Sequence, residues 1–453
     1  MSGQECLGPQ KTIKSKGSKC CSSKEQWRYS LTLVGLGKTS IVLAALKILK
    51  ARTLINKVLI VAPLRPMYKV WPDEVAKWAD FNHFVVSILH GPNKQWNLEA
   101  DADLYIINPE GLKWLLTNPK FQGFDVLVID ESTKFKNHAS GRFKLLKPLL
   151  HLFKRRWILT GTPSPNGLEG LFSQIFILDL GRSLTRFITH FRREYFQQSG
   201  WNQYDISPKP GAFVQIVQRI SPLVYQLSAE DHLQMPKLVF KNLEVTLPPE
   251  ALKFYKAFEN HMTAKWGDQE FLAGSEAVLS GRLHQVANGA IYLPESKEYQ
   301  VIHDEKLDAL ESYIEELSGK PTLVIYEYNH DLERIRGRLG VETPNLGSGI
   351  SIQAMESLVD QFNAGTIPVL LGHPGSMGHG LNLQGACHHV IWFSVPWDLD
   401  FYDQTIARVY RQGQKSDSVF VYHIVAKHTK DEDIQATLDI KDADQQKLMR
   451  ALA

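Results

Sequence analysis

Cysteine is scarce in this chain and badly placed for structural chemistry. The 453 residues include four, three of them (Cys6, Cys20, Cys21) within the first 21, and no Cys-x-x-Cys pair. That excludes a zinc ribbon and a disulfide framework, and it fits a reduced, cytosolic compartment. Long apolar runs are missing too: no 18 consecutive residues are apolar, and the N-terminus lacks the apolar core of a signal peptide. A membrane-spanning reading is set aside on that ground. Nor is one sign of charge in excess, with 51 Lys and Arg against 48 Asp and Glu. A net charge of +3 is too mild to argue for nucleic acid, so any DNA-binding surface would have to be a local basic patch. No internal repeat, low-complexity tract, nuclease module or chromatin-reading module is visible.

What is present is an ordinary globular composition, 43% hydrophobic, in a chain long enough for two or three domains. Residues 1–30 are expected to be irregular. Between Lys11 and Lys24 there are five lysines and no acidic residue, which reads as a solvated tail rather than a phosphate-gripping arm. From Leu31 onward short apolar runs alternate with longer mixed segments. VLIVAP (58–63), LYIIN (104–108), VLVID (126–130) and RWILTGTP (156–163) read as buried strands, and TSIVLAALKILKA (39–51) as a helix. Strands alternating with helices predict a parallel sheet covered on both faces, with its chemistry at the carboxyl ends of the strands.

Residues 181–303 read differently, as a mostly helical connector in which PEALKFYKAFENHMTAKW (249–266) forms one long helix. A second α/β region follows over 304–453, with strands at TLVIYEY (322–328), PVLLGH (368–373), HHVIWFS (388–394) and VFVYHIVA (419–426). The expected fold is therefore α/β: two parallel-sheet lobes, 31–180 and 304–453, joined by the insertion.

Four short segments carry chemistry. GLGKT (35–39) sits between an apolar run and a strong helix, the context of a phosphate-binding loop. Its glycines let backbone N–H groups approach phosphate, Lys38 can reach the β- and γ-phosphates, and the Thr39 hydroxyl can hold Mg²⁺. VLVIDESTKFKN (126–137) puts Asp130 and Glu131 at the end of an apolar strand. There Asp130 can coordinate Mg²⁺ while Glu131 orients and deprotonates an attacking water. ILTGTPSPNGLEGLF (158–172) ends a strand in Thr160, Gly161 and Thr162, hydroxyls that can sense a γ-phosphate or hold nucleic-acid phosphate. In DQTIARVYRQGQ (403–414), Gln404, Arg408 and Arg411 recur at roughly helical spacing and are expected to share one face, as arginine fingers for a transferred phosphoryl group. His388 and His389 lack further ligands at metal-site spacing and read as packing or surface residues.

In this order and spacing, GLGKT, DEST, LTGTP and QTIARVYRQGQ resemble the superfamily-two helicase-like ATPases, and more narrowly the Swi/Snf-type branch of double-stranded DNA translocases. LIVAPLRPMYKVWPDEVAKW (59–78) is similar to that family's motif Ia, DEKLDALESYIEEL (304–317) to the approach to its second lobe, and GSMGHGLNLQGACHHVIWFSVPWD (375–398) to its motif V. The likeness covers about 31–440, and DEST in place of DEAH, with the compact size, resembles versions encoded by phages and prophages. The resemblance implies two RecA-like lobes, ATP and Mg²⁺ as cofactors, and the cytosol of a bacterium or phage-infected host. Gly35, Gly37, Lys38 and Thr39 would bind ATP, with Thr39 and Asp130 on the metal, and Asp130 and Glu131 would drive hydrolysis. Thr160, Gly161, Thr162, Gly378, Gly380 and Asn382 would couple the nucleotide to DNA; Gln404, Arg408 and Arg411 would complete the site from the second lobe. Double-stranded DNA, gripped through its backbone, is the implied partner.

Two departures bear on this. Nothing before residue 31 matches the family's base-recognising segment, and Thr32, Leu33 and Val34 replace the usual preamble to the loop. Either this member is diverged or, as the favoured expectation, the first 34 or so residues come from a shifted reading frame or misplaced start, which would take away the residues that grip adenine. Two rival functions stay open at this point: a strand-separating DNA or RNA helicase, and a DNA-binding scaffold with a defective ATP site.

Overall fold

A computed structural model of the chain describes residues 27–32, 37–121, 123–164, 167–199, 206–227, 235–347, 349–377 and 380–452. It contains two compact units. The first comprises Met1–Gln234 and Lys441–Ala453, the second Met235–Ile440.

Unit 1 is built on strands β1 (Trp27–Thr32), β2 (Lys57–Val61), β3 (Val86–Ile88), β4 (Leu104–Ile107), β5 (Phe124–Asp130), β6 (Arg155–Thr160) and β9 (Val224–Leu227), with a small β7–β8 hairpin (Phe196–Gln198, Ile206–Pro208) beside them. The seven strands form one sheet in the order β3-β4-β2-β5-β6-β1-β9, every neighbour parallel. The irregular reading of residues 1–30 is thereby corrected at its end, where Trp27–Ser30 belong to β1. The runs 58–61, 104–107 and 126–129 are apolar apart from the Tyr105 hydroxyl, because both faces of the sheet are covered there. Along β2 and β5 the side chains alternate between two cores. Leu59, Val61, Leu127 and Ile129 pack with helix α3 (Leu171–Asp179), whereas Val58, Ile60, Val126 and Val128 pack with helix α1 (Lys38–Ala51). A further helix, α2 (Trp71–Lys77), closes the α1 side through Trp71 and Val75.

Unit 2 repeats the plan. Its strands are β10 (Lys237–Val245), β15 (Thr322–Ile325), β16 (Asn345–Leu346), β17 (Val369–Gly372), β18 (His389–Trp392) and β19 (Ser418–Ala426). They run parallel in the order β10-β19-β18-β15-β17-β16. Again alternate residues face opposite cores: Leu323, Ile325, Val390 and Val421 on one side, Val324, Leu371, Ile391 and Tyr422 on the other. Two hairpins, β11–β12 (Thr263–Trp266, Gln269–Leu272) and β13–β14 (Ala290–Tyr292, Tyr299–Val301), complete the strand set. Helix α4 (Leu399–Ile406) precedes β19, and the final helix α5 (Lys430–Leu452) follows it. From Lys441 that last helix belongs to unit 1, where Leu448, Met449 and Leu452 enter the α3-side core.

The helix expected over 249–266 is corrected. It spans Pro249–His261 and stops at Met262, which turns left-handed at φ 58° and returns its backbone N–H to the Phe258 carbonyl. Thr263–Trp266 then pairs antiparallel with Gln269–Leu272 across a two-residue Gly267–Asp268 loop, with Gly267 at φ 58°, as a tight hairpin turn requires. The expected connector as a whole is part helix, part strand. Residues 188–195, 212–220, 249–261 and 276–287 are helical, but β7 to β14 also fall within it, and β10 is an edge strand of the second sheet. Among the described residues no helix is long and apolar enough to cross a membrane.

Candidate active site

In unit 1 the carboxyl end of the sheet gathers three of the four segments. β5 and β6 are neighbours, with Asp130 opposite Leu159, and β1 lies on the far side of β6, with Leu31 opposite Thr160. Gly35 lies outside the described residues. Gly37 caps α1 in the left-handed region (φ 75°, ψ 44°), a conformation glycine reaches without the steric cost of a Cβ. The cap leaves the first N–H groups of α1 unpaired within the helix, as an anion site needs. Lys38 and Thr39 form its first turn.

The Lys38 ammonium lies 3.6 Å from a Glu131 carboxylate oxygen, with both side chains mostly buried. Glu131 itself is held at φ 56°, ψ 64°, left-handed backbone that costs a non-glycine residue on the order of 1–2 kcal/mol. Asp130 ends β5 at 8% exposure and accepts a hydrogen bond from the Trp71 indole N–H at 3.0 Å. Burial, reinforced by the charge of Glu131, pushes the Asp130 carboxyl up to about 6, while Lys38 and the Trp71 bond pull it down. A buried carboxylate this uncomfortable as an anion is a site that a cation relieves. The donors present, a carboxylate and the Thr39 hydroxyl, are the hard oxygens that suit Mg²⁺.

Helix α2 braces this centre from the side. Glu74 accepts from the Ser40 hydroxyl, one residue beyond Thr39, and from the Trp78 indole N–H at 2.6 Å. Trp71 and Glu74 fall in the segment similar to motif Ia, and their i, i+3 spacing signals one face of a helix, not what it faces.

The LTGTP loop leaves β6 as a buried turn. Thr160 and Thr162 are 0% and 6% exposed, and the Thr162 backbone N–H donates to the Thr160 hydroxyl oxygen at 3.1 Å. Gly161 between them is buried as well. A residue missed entirely in the sequence, Gln174 on α3, joins this loop to the DEST segment. Its amide nitrogen donates to the Pro163 carbonyl (2.7 Å) and the Gly170 carbonyl (3.1 Å), and its amide oxygen accepts from the Ser132 hydroxyl (2.7 Å).

Unit 2 carries the remaining residues, and one expectation about them is corrected. Gln404, Arg408 and Arg411 do not share a helix face, because α4 ends at Ile406. The chain continues in tight turns, with Arg408 N–H to Thr405 carbonyl and Val409 N–H to Ile406 carbonyl. The Arg408 carbonyl leaves the helical pattern to accept from the Leu383 backbone N–H at 2.9 Å. Gln404 is buried and donates to Asp400 at 2.8 Å. The Arg411 guanidinium donates to the Asn382 side-chain oxygen, and burial pulls it below the usual arginine range. Asn363 fixes the Asn382 loop from behind, donating to the Asn382 carbonyl (2.8 Å) and accepting from the Gly385 N–H (2.9 Å). A Cβ at Gly385 would come within 2.7 Å of the Asn363 side chain, so only glycine fits there. Gly380 adopts φ 76°; Gly378 lies outside the described residues. Motif V and the arginine turn thus form one cross-linked loop pair.

Comparison with known families decides the identity of this arrangement. Residues 34–290 match the SNF2-related domain and residues 305–413 the helicase conserved C-terminal domain. The chain belongs to the SNF2-related family. It is an ATP hydrolase of the helicase-like class. Protein p41 of Acyrthosiphon pisum secondary endosymbiont phage 1 is 33% identical over 92% of this chain and 93% of its own length. An uncharacterised ATP-dependent helicase of Bacillus subtilis is 24% identical over 88% of this chain and 72% of its own length. The DNA repair protein rhp54 of Schizosaccharomyces pombe is 26% identical over 88% of this chain, which spans 53% of that longer protein. In this SNF2-related chain Lys38, Asp130 and Glu131 lie around one strand end, and Arg411 and Asn382 meet in unit 2.

Proposed function

We propose that this SNF2-related chain is a DNA-dependent ATPase that moves along double-stranded DNA. The observation that carries the reading is the Asp130–Glu131–Lys38 constellation: one carboxyl buried and braced by Trp71, the next turned out of line and within 3.6 Å of the loop lysine. Gly37, Lys38 and the first turn of α1 would hold the phosphates of ATP. Thr39 and Asp130 would hold Mg²⁺, which when bound neutralises charge on the β- and γ-phosphates. Glu131 then takes a proton from water as its oxygen attacks the γ-phosphorus; the bond to the β,γ-bridging oxygen breaks and ADP departs.

Arg408 and Arg411 would serve as arginine fingers for charge on the transferred phosphoryl group, with Gln404 completing that set. The loops at Thr160–Thr162 and Gly378–Asn382 would couple that chemistry to a duplex gripped through its phosphates. Relatives bearing names of DNA repair proteins support DNA as the partner, and the phage relative supports work in the cytosol of a bacterial host. Displacement of a third strand from a triplex, with no separation of the underlying duplex, is the expected outcome with ATP. Duplex unwinding in the same assay would favour a strand-separating helicase instead.

A further inference from the structure

We propose that Gln174 is a positioning residue that transmits movement of the LTGTP loop to the hydrolytic Glu131. The proposal rests on the reading of unit 1 as a DNA-stimulated ATPase. Gln174 is fully buried, as is Ser132, the residue immediately after Glu131. Its amide is locked in one orientation: the nitrogen donates to the carbonyls of Pro163 and Gly170, so the oxygen must be the group facing Ser132, and the Ser132 hydroxyl must donate. One amide therefore spans the residue after Glu131 and the residue after Thr162. The next residue of α3 towards its N-terminus adds a second hold, because the Ser173 hydroxyl donates to the Lys136 carbonyl at 2.7 Å, at the end of the turn that Ser132 begins (Ser132–Phe135).

This arrangement has a mechanical consequence. Glu131 sits in strained left-handed backbone, and such a residue keeps its geometry only while its surroundings enforce it. The Gln174 bridge is one of those surroundings, and its other end is the loop expected to respond to DNA. When that loop shifts, the amide must either carry Ser132 with it or leave a buried carbonyl or hydroxyl unpaired. Glu131 is re-aimed in the first case and loses one of its restraints in the second. In the DNA-free state the bridge holds Glu131 in one setting; in the DNA-bound state it delivers the other.

The test uses the full chain with Gln174→Met, which preserves side-chain length and removes both hydrogen-bonding ends, and Ser132→Ala, which removes the same bond from the other side. ATP turnover is measured with and without linear duplex DNA. Each single variant is expected to lose about tenfold in DNA-stimulated kcat, the scale of one buried hydrogen bond. KM for ATP should stay within about twofold of the parent, because uniform nucleotide binding is untouched, and the DNA-free rate should fall several-fold less than the stimulated one. The double variant should be no worse than the poorer single one, since both remove one link. A Gln174→Met protein that folds and keeps its full DNA-stimulated kcat overturns the proposal. So does a proportional fall of basal and stimulated rates with a lowered melting temperature, which is what loss of packing alone produces. Should Gln174→Met not fold, Ser132→Ala decides by the same criteria. A parent chain that hydrolyses ATP but ignores duplex DNA would overturn the DNA reading itself, and the coupling role with it.

Discussion

Replacing Asp130 by Asn should make the metal-free protein more stable while destroying its activity. The Asp130 carboxyl is raised from 3.8 to about 6 by burial and by its neighbour Glu131. The folded state therefore holds a proton between those two values that the unfolded chain has released. The contribution of Asp130 to stability is greatest below pH 3.8, falls as pH rises through about 6, and carries the full penalty above it. A shift of roughly two units corresponds to about 3 kcal/mol at pH 8 and about half of that at pH 5. Asn does not titrate, is isosteric, and still offers an oxygen to the Trp71 indole 3.0 Å away. Loss of attraction to Lys38 offsets part of the gain, so an increase of about 1–3 kcal/mol at pH 8 is expected, shrinking towards pH 4. Thermal denaturation without divalent ions, from pH 4.5 to 8.5, reads this as a rise of several °C at the alkaline end, at about 2–4 °C per kcal/mol. Added Mg²⁺ should stabilise the parent and leave Asp130→Asn nearly unmoved. Equal stability at pH 8, or a gap that does not change with pH, would refute the argument that Asp130 is an unrelieved buried anion.

Three further outcomes are expected. Lys38→Ala should abolish turnover and weaken nucleotide binding, whereas Glu131→Gln should abolish turnover and still bind ATP; fluorescent-nucleotide titration beside phosphate release separates the two. Trp71→Phe removes the hydrogen bond to the ionised Asp130, so that carboxyl climbs further and the acid limb of the pH–rate profile moves up by about one unit. Asn382→Ala takes away the side-chain acceptor of Arg411, leaving the Leu381 carbonyl at 3.4 Å, and should lower single-turnover hydrolysis about tenfold with ATP affinity unchanged.

Much of the fold was legible because parallel strands buried on both faces must be written in apolar letters. VLIV of β2, VLVID of β5 and VFVYHIVA of β19 read directly as strands. The ends of those strands were legible for a related reason: Asp130, Glu131 and Thr160 are polar letters closing apolar runs. What escaped were features set by distant partners. Gln174 lies on a helix whose every residue is buried, and its polarity has meaning only beside Ser132 and Pro163. Past the end of α4 at Ile406 the Arg408 carbonyl is claimed by the distant Leu383 N–H, which no local spacing reveals. β10 carries mostly exposed side chains, so its apolar letters did not mark a buried strand, and its place beside β19 is set by backbone pairing. The strand Trp27–Thr32 is likewise defined by its neighbours β6 and β9.

Steady-state phosphate release from ATP, with and without linear duplex DNA, tests the central claim most directly, run on the parent chain beside Glu131→Gln. The account predicts Mg²⁺-dependent hydrolysis that rises at least about tenfold when duplex DNA is added, weakens with salt as backbone contacts are screened, and disappears in Glu131→Gln. Hydrolysis that is indifferent to duplex DNA, or that survives Glu131→Gln, would contradict it.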